Sequence, residues 1–162
     1  MTTTAFQDYY PDDFSHCYGC GRLNPHGHQI KSVWDEEESV AHFTPEPHHM
    51  AVPGFVYGGL IASLIDCHGT GTATAATYRQ QGRPMDSNPP LRFVTASLNV
   101  DYLAPTPMGV ALEIRGTVEE ITEKKVVVAA RVTAAGKTCA RGRVVAVPIP
   151  DTMLKIIQET KK

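Results

Sequence analysis

The segment PGFVYGGLIASLIDCH, residues 53–68, most constrains how this chain can fold. Gly58 and Gly59 begin a predicted helix, where the first backbone N–H groups lack intrahelical partners and no side chain shields them. Such a helix end can stabilise negative charge on an oxygen atom. Asp66 follows Gly59 by seven residues, close to two helical turns, so the carboxylate and the glycine pair are predicted to share one face.

The predicted helix runs from about Gly58 to Tyr78. Its apolar residues recur at helical spacing and form one stripe: Leu60, Ile61, Leu64 and Ile65. The residues around Asp66 are mostly small, which would let another stretch of backbone or a thin ligand approach closely: Ala62, Ser63, Gly69, Thr70 and Ala73. His68 points to a different side of the helix from Asp66, so we expect it to be a structural or interface residue.

Strand patterns lie on both sides of the helix. Two short strands are predicted before it and four longer ones after it, joined by short polar turns that favour antiparallel neighbours: residues 29–34, 39–43, 94–102, 110–121, 125–133 and 138–147. In the third of these, apolar and polar residues alternate, which makes Thr95 an ordinary exposed position. The chain is divided into an irregular arm (1–28), an α+β domain (29–150) and a C-terminal tail (151–162).

Composition excludes several classes of protein. A chain of 162 residues, 42% of them apolar, is expected to form one domain with one core. A net charge of −2 with scattered basic residues argues against nucleic-acid binding. Neither a membrane span nor a signal peptide is recognisable, so a cytoplasmic location and no membrane partner are expected. The four cysteines are expected to be reduced, because a chain of this length does not need a disulfide framework.

Taken together, the element order and two motifs resemble the hotdog-fold thioesterase superfamily. The motifs are PGxVxGG followed by Asp66, and the downstream DYLAP, residues 101–105. The chain is more narrowly similar to phenylacetic-acid-degradation-type and four-hydroxybenzoyl-CoA-thioesterase-like members, whose Cys-rich lead-in resembles CYGCGRLNPHG. The similarity covers residues 17–148. It implies a hotdog fold, in which an antiparallel sheet of five or six strands wraps a long central helix.

The resemblance also implies a function, hydrolysis of a small or medium acyl-CoA or aryl-CoA thioester. Backbone N–H groups of Gly58 or Gly59 would stabilise the charged carbonyl oxygen, and Asp66 would activate water or attack directly. Thr95 would orient the water. The resemblance places the thioester between the subunits of a homodimer, whose glycine pair and acid come from different chains; dimers could pair into a tetramer. Coenzyme A enters as part of the substrate, and no separate cofactor is expected.

Two positions depart from the family pattern. Tyr57 stands where these enzymes usually carry His, although a phenol can still donate a hydrogen bond, so it stays a candidate catalytic residue. Ala51 replaces an Asn or Gln, and His48 or His49 could substitute for that side chain. An acyl-CoA or acyl-carrier binding protein without catalysis is therefore the alternative function. Dehydration by the same fold is less favoured, because it needs the missing His.

Two further sets of residues could bind a phosphate group or a metal ion. Lys124, Lys125 and Arg143 could bind the phosphates of coenzyme A, although turns and strand ends carry such cations in any case. Separately, C-x-x-C with a nearby H-x-H offers zinc-ligand types: Cys17, Cys20, His26 and His28. This spacing is compressed and the two His would point to opposite faces of a strand, so we expect reduced thiols in a packed loop and no metal.

Overall fold

A long helix packed against a six-stranded antiparallel sheet forms the core of the chain in a computed structural model that describes residues 3–162. The helix α1 spans Gly58–Gln80. The strand order is β1-β2-β4-β5-β6-β3. The strands are β1 (Ser32–Asp35), β2 (Glu38–Phe43), β3 (Phe93–Tyr102), β4 (Leu112–Ile121), β5 (Val126–Ala134) and β6 (Lys137–Pro148). The predicted α+β architecture is confirmed, with six strands in the sheet.

Close packing between α1 and the sheet depends on two glycines that leave room for side chains. A Cβ atom at Gly142 on β6 would lie 2.5 Å from Cγ2 of Ile65, which is fully buried. Similarly, a Cβ at Gly69 on α1 would lie 2.6 Å from Cγ2 of Val144. Burial of a side chain such as Ile65 stabilises the fold by about 1.5–3 kcal/mol. The interface therefore relies on small residues in both layers.

The N-terminal arm packs across α1. Phe6 and Tyr10 are buried, and Gln7 is buried with its Nε2 atom donating to the Ser32 hydroxyl at 3.2 Å. A Cβ at Gly71 would lie 2.7 Å from that Nε2 atom. Gly71 on α1 thus leaves room for the Gln7 side chain of the arm. Two short 3-10 helices, Phe6–Tyr9 and Asp12–Phe14, lie within this arm.

Several boundaries differ from the sequence prediction. Strand β1 begins at Ser32 rather than at residue 29, because Gln29 has a φ of 51°, which is incompatible with extended backbone. The segment predicted as a tail forms a second helix, α2 (Asp151–Glu159). The β5–β6 hairpin turns at Ala135 and Gly136 as predicted, with positive φ at both. Neither helix in residues 3–162 combines the length and apolar character needed to cross a membrane.

Candidate active site

The start of α1 presents two free backbone donors. Tyr57 is the N-cap residue, in extended conformation, and its N–H donates to the His49 carbonyl oxygen at 2.8 Å. The next donor in use is Leu60 N–H, which reaches the Tyr57 carbonyl oxygen at 3.1 Å. Between them, the N–H groups of Gly58 and Gly59 have no partner in the part of the chain that the structure describes. They are available to an oxygen atom of a ligand.

Two phenol rings flank this glycine pair. Tyr102 donates its hydroxyl to the Gly58 carbonyl oxygen at 2.6 Å, and a Cβ at Gly58 would lie 3.3 Å from the Tyr102 ring. On the other side, a Cβ at Gly59 would lie 2.4 Å from the ring of Tyr57, which is 59% exposed. Burial, and then the neighbouring Tyr57, raise the pKa of Tyr102. Glycine at both positions allows these rings to approach the helix end.

A bulge in β3 brings Thr95 to Asp66. Val100 packs against the core and Tyr102 reaches α1, so strict alternation would put Ala96 on the helix side. The register shifts between Thr95 and Ser97, which reverses the two faces. The Thr95 hydroxyl consequently donates a hydrogen bond to Oδ1 of Asp66. Thr95 is exposed, as its strand position predicts, and its hydrogen bond to the acid agrees with the role expected from the resemblance.

The surroundings of Asp66 suit a carboxylate that acts as a general base. The side chain is half-buried rather than fully solvated, and this burial raises its pKa. The Thr95 hydrogen bond opposes that effect by stabilising the carboxylate, and nearby Cys17 adds to the increase. A carboxylate with a raised pKa binds a proton more readily, and the Thr95 hydroxyl keeps one of its oxygens oriented.

An apolar groove of about 510 Å³ lies beside the glycine pair. Its wall next to Gly58 contains Ala51, Phe55 and Ile61, and it continues along residues 102–106. The size suits a small organic ligand. At the position where the resembling enzymes carry Asn or Gln, Ala51 contributes only apolar surface to this groove. His49 is engaged elsewhere, because its Nδ1 atom accepts the Glu46 N–H at 2.9 Å.

Comparison with known proteins identifies the family. The family model described as "Thioesterase superfamily" matches residues 53–140, more than half of the chain. The chain belongs to the thioesterase superfamily. A thioesterase superfamily protein from Shewanella loihica PV-4, solved by crystallography, is 52% identical, with a TM-score of 0.66 over 87% of this chain and 100% of that chain.

Two more distant relatives have more specific descriptions. The acyl-coenzyme A thioesterase THEM4 of Xenopus laevis is 36% identical over 91 residues, which are 56% of this chain and 35% of that protein. The chain thus spans about a third of the length of this curated relative. The smu.793 protein of Streptococcus mutans, solved with acetyl CoA bound, shares the fold at 17% identity and a TM-score of 0.58, over 74% of this chain and 87% of that chain.

In this thioesterase-superfamily chain, two of the three cations expected at coenzyme A phosphates make ion pairs. Lys125 lies 3.5 Å from Glu120, and Arg143 lies 3.1 Å from Glu119. Lys124 precedes Lys125 in the β4–β5 turn, between Ile121 and Val126. Ala146 on β6 pairs with both Val126 and Thr95, so this turn lies toward the same end of the sheet as Thr95.

The cysteines are arranged differently from the sequence prediction. Cys17 and Cys20 lie with Cys67 of α1, and their three Sγ atoms are all within 4.8 Å of one another. His28 packs instead against Tyr18, with ring centroids 4.8 Å apart. The thiols of Cys20 and Cys67 lower the pKa of Cys17 by hydrogen bonding. Sequence reasoning missed Cys67, because only the docking of the arm on α1 brings it to the other two.

His68 has a structural role. It is fully buried, and its Nδ1 and Nε2 atoms lie 2.9 Å from the hydroxyls of Ser32 and Ser39. Burial lowers the pKa of His68 to about 4, so the ring is neutral near pH 7. The residue ties α1 to β1 and β2 and, as expected from the sequence, stands apart from Asp66.

Proposed function

We propose that this protein hydrolyses acyl-CoA thioesters with a small or medium acyl or aryl group. The observation that carries the proposal is the half-buried Asp66, with its raised pKa and its hydrogen bond from Thr95, on the helix that begins at the free glycine donors. Family membership supports thioester chemistry. The Xenopus relative is named as an acyl-coenzyme A thioesterase and the Streptococcus protein was solved with acetyl CoA bound, which supports coenzyme A as the carrier.

In the proposed reaction, the thioester oxygen accepts hydrogen bonds from Gly58 or Gly59, and Tyr57 contributes a further donor beside them. Asp66 takes a proton from water as the water oxygen attacks the carbonyl carbon, with Thr95 orienting the carboxylate and the water. The carbon–oxygen bond forms and the negative charge that develops on the carbonyl oxygen is stabilised at the helix end. Collapse of this intermediate breaks the carbon–sulfur bond, and the proton held by Asp66 passes to the leaving sulfur. Coenzyme A is thus released as its thiol and the acyl group as a carboxylic acid. Direct attack by Asp66, through a mixed anhydride that water then cleaves, is the other route.

The helix geometry supports a site shared by two copies. Gly59 and Asp66 are separated by roughly 10 Å along the helix axis, at 1.5 Å per residue. An oxyanion donor and an attacking group must both lie about 3 Å from neighbouring atoms of one thioester. That separation is too long for a single carbonyl group to contact both residues of one chain. We therefore propose that Asp66 of one subunit serves the glycine pair of its partner.

The edge strand β3 supplies a surface for such a dimer. It ends the strand order, spans ten residues, and exposes Leu98 (38%) and Tyr102 (53%). A long, exposed strand edge can pair with the same edge of another copy. We propose a homodimer joined through β3, which could associate further into a tetramer. In it, Lys124, Lys125 and Arg143 would bind the phosphates of coenzyme A, and Arg143 would exchange Glu119 for that anion.

The test is thiol release from a panel of aromatic and aliphatic acyl-CoA substrates, comparing the natural protein with Asp66→Asn. The matched control is Asp151→Asn, an exposed acid at the start of α2. We expect turnover by the natural protein and the control, and loss of about two to four orders of magnitude in the Asp66 variant. Absence of thiol release by the natural protein from every substrate would contradict the proposal.

A second candidate function, acyl-CoA or acyl-carrier binding without turnover, is favoured by Tyr57 and Ala51. Tyr57 lies over Gly59, at the position where the resembling enzymes usually carry His, and Ala51 offers the groove no polar group. Tight acyl-CoA binding without thiol release would identify this function. A cytoplasmic location and the lack of a separate cofactor stay predictions.

A further inference from the structure

Three cysteine sulfurs converge where the N-terminal arm meets α1. Cys17 and Cys20 come from one turn of the arm, and Cys67 follows Asp66 on the helix. All three are free thiols, and the Sγ atoms of Cys17 and Cys67 are 3.7 Å apart. Zinc–sulfur bonds of about 2.3 Å in a tetrahedral site place neighbouring sulfurs about 3.8 Å apart. The cluster, with every pair within 4.8 Å, is close to that spacing before any ion is added.

The turn that carries Cys17 and Cys20 is built around two glycines. A Cβ at Gly19 would lie 2.2 Å from the Sγ atom of Cys67, so a side chain there would occupy the position of the third sulfur. A Cβ at Gly21 would lie 2.5 Å from the backbone nitrogen of Cys17. The Gly21 N–H donates to the Cys17 carbonyl oxygen at 2.8 Å, which closes the turn. Both glycines allow this turn to hold its two sulfurs against α1.

Arg92 supplies a positive charge beside the cluster. Its Nη2 atom lies 3.9 Å from the Sγ atom of Cys20, and its Nη1 donates to the Phe93 carbonyl oxygen at 2.8 Å. Within residues 3–162, this partly buried guanidinium makes no ion pair with a carboxylate. A partly buried cation needs compensation. Three thiolates, one Zn²⁺ and one guanidinium sum to zero charge. With three neutral thiols, the Arg92 charge would face only the Tyr10 ring, whose centroid lies 4.8 Å from Cζ, and the nearby Asp66 carboxylate.

We propose that Cys17, Cys20 and Cys67 bind one zinc ion, which fixes the N-terminal arm to α1. This ligand set differs from the one considered in the sequence analysis, since Cys67 replaces His26 and His28. Three protein thiolates leave a fourth coordination position for solvent or a small ligand. Binding releases the thiol protons, and the metal links residues that are otherwise 47 to 50 positions apart in the chain. The zinc takes no part in the proposed hydrolysis, in which Asp66 remains the water-activating group.

The first test measures zinc in the full chain, purified without a polyhistidine tag, under reducing conditions and from zinc-supplemented cells. We expect about one zinc ion per chain in the natural protein and less than about a tenth in Cys67→Ser. Cys139→Ser is the matched control, because Cys139 is equally buried, lies outside the cluster and should leave the zinc content unchanged. Asp66→Asn should also retain zinc, which separates this proposal from the catalytic one.

A second test uses only the natural chain, in case Cys67→Ser fails to fold. After removal of zinc by a chelator, titration with Co²⁺ should produce the visible absorption of tetrahedral cobalt–thiolate coordination, complete at about one ion per chain. The temperature of unfolding should rise with the metal. The proposal would be overturned by a zinc-free natural protein without cobalt–thiolate absorption. Natural zinc content in folded Cys67→Ser, or an intact mass two hydrogens short because Cys17 and Cys67 form a disulfide, would overturn it equally.

Discussion

The Thr95 hydroxyl donates a hydrogen bond to the Asp66 carboxylate across the interface between β3 and α1. This contact exists because the bulge between Thr95 and Ser97 turns Thr95 toward the helix. The hydrogen bond lowers the pKa of Asp66 against the larger effect of burial, which raises it. Thr95 therefore orients the proposed base and opposes the effect of burial on its pKa.

Replacement of Thr95 should change the pH dependence of hydrolysis. In Thr95→Val the carboxylate loses its donor, so the pKa of Asp66 rises and less of the residue is ionised in mildly acid buffer. The acidic limb of the kcat/KM profile should move to higher pH. Thr95→Ser keeps the hydroxyl and should keep the natural profile. A limb that is unchanged in Thr95→Val would show that Asp66 does not govern it.

The Tyr102 hydroxyl should stabilise the start of α1. Tyr102→Phe removes the 2.6 Å hydrogen bond to the Gly58 carbonyl oxygen and should lower the free energy of unfolding by about 1 kcal/mol. Because the glycine donors would be held less firmly, kcat/KM should fall several-fold. Tyr18→Phe is the control, since the exposed Tyr18 hydroxyl has no hydrogen-bond partner in the described part of the chain. Chemical denaturation and steady-state kinetics measure the two effects.

Burial of His68 should make the fold sensitive to acid. The ring stays neutral in the folded chain down to about pH 4, whereas in the unfolded chain it gains a proton near its ordinary pKa of 6.5. The unfolded state therefore binds more protons between these values, and stability is lost as the pH falls through them, by about 3 kcal/mol in total.

The check is to compare unfolding of the natural chain and His68→Gln at pH 7 and pH 4. The variant is less stable at pH 7, because the two serine hydroxyls lose a shared partner, but its further loss on acidification should be smaller. His26→Gln, at an exposed position, should retain the natural pH dependence. Equal pH dependence in all three proteins would contradict a neutral buried His68.

The contact between Ile65 and Gly142 should tolerate no added methyl group. In Gly142→Ala the new Cβ would lie 2.5 Å from Cγ2 of Ile65, so the helix or the sheet must shift, at a cost of about 1–3 kcal/mol. Ile65→Ala removes the Cγ2 methyl group that the new Cβ would meet. The double variant should therefore lose less stability than the sum of the two single variants. Strict additivity, measured by denaturant unfolding, would mean that the clash is relieved elsewhere.

The helix and the strands could be predicted because their signals are local. The start of α1 at Gly58 follows from a glycine pair before an apolar stripe, and the turn at Ala135-Gly136 follows from its residue types. The position of Asp66 relative to Gly59 follows from helical periodicity alone. These features need no knowledge of contacts between distant parts of the chain.

The remaining features depend on long-range packing. The alternation of β3 gives no sign of the bulge that turns Thr95 toward α1, since a bulge is set by pairing with β6. Cys67 reaches Cys17 only after the arm docks on α1, and His28 turns away from them to pack against Tyr18. The role expected for Thr95 came from the family resemblance and stays a prediction, whereas the convergence of the three cysteines required the structure.

The most direct test of the shared site combines two inactive variants in one dimer. Asp66→Asn removes the base. Gly58→Pro removes one donor at the first helical position, where the backbone accepts proline because Tyr57 already has the extended conformation it requires. The new Cβ would lie 3.3 Å from the Tyr102 ring, so that ring must shift slightly. Each variant alone should be nearly inactive as a dimer. Random mixing by co-expression makes half of the dimers mixed, each with one of two sites intact, so thiol release should recover to about a quarter of the natural rate. No recovery in verified mixed dimers would contradict a site built from Asp66 of one subunit and the glycine pair of the other.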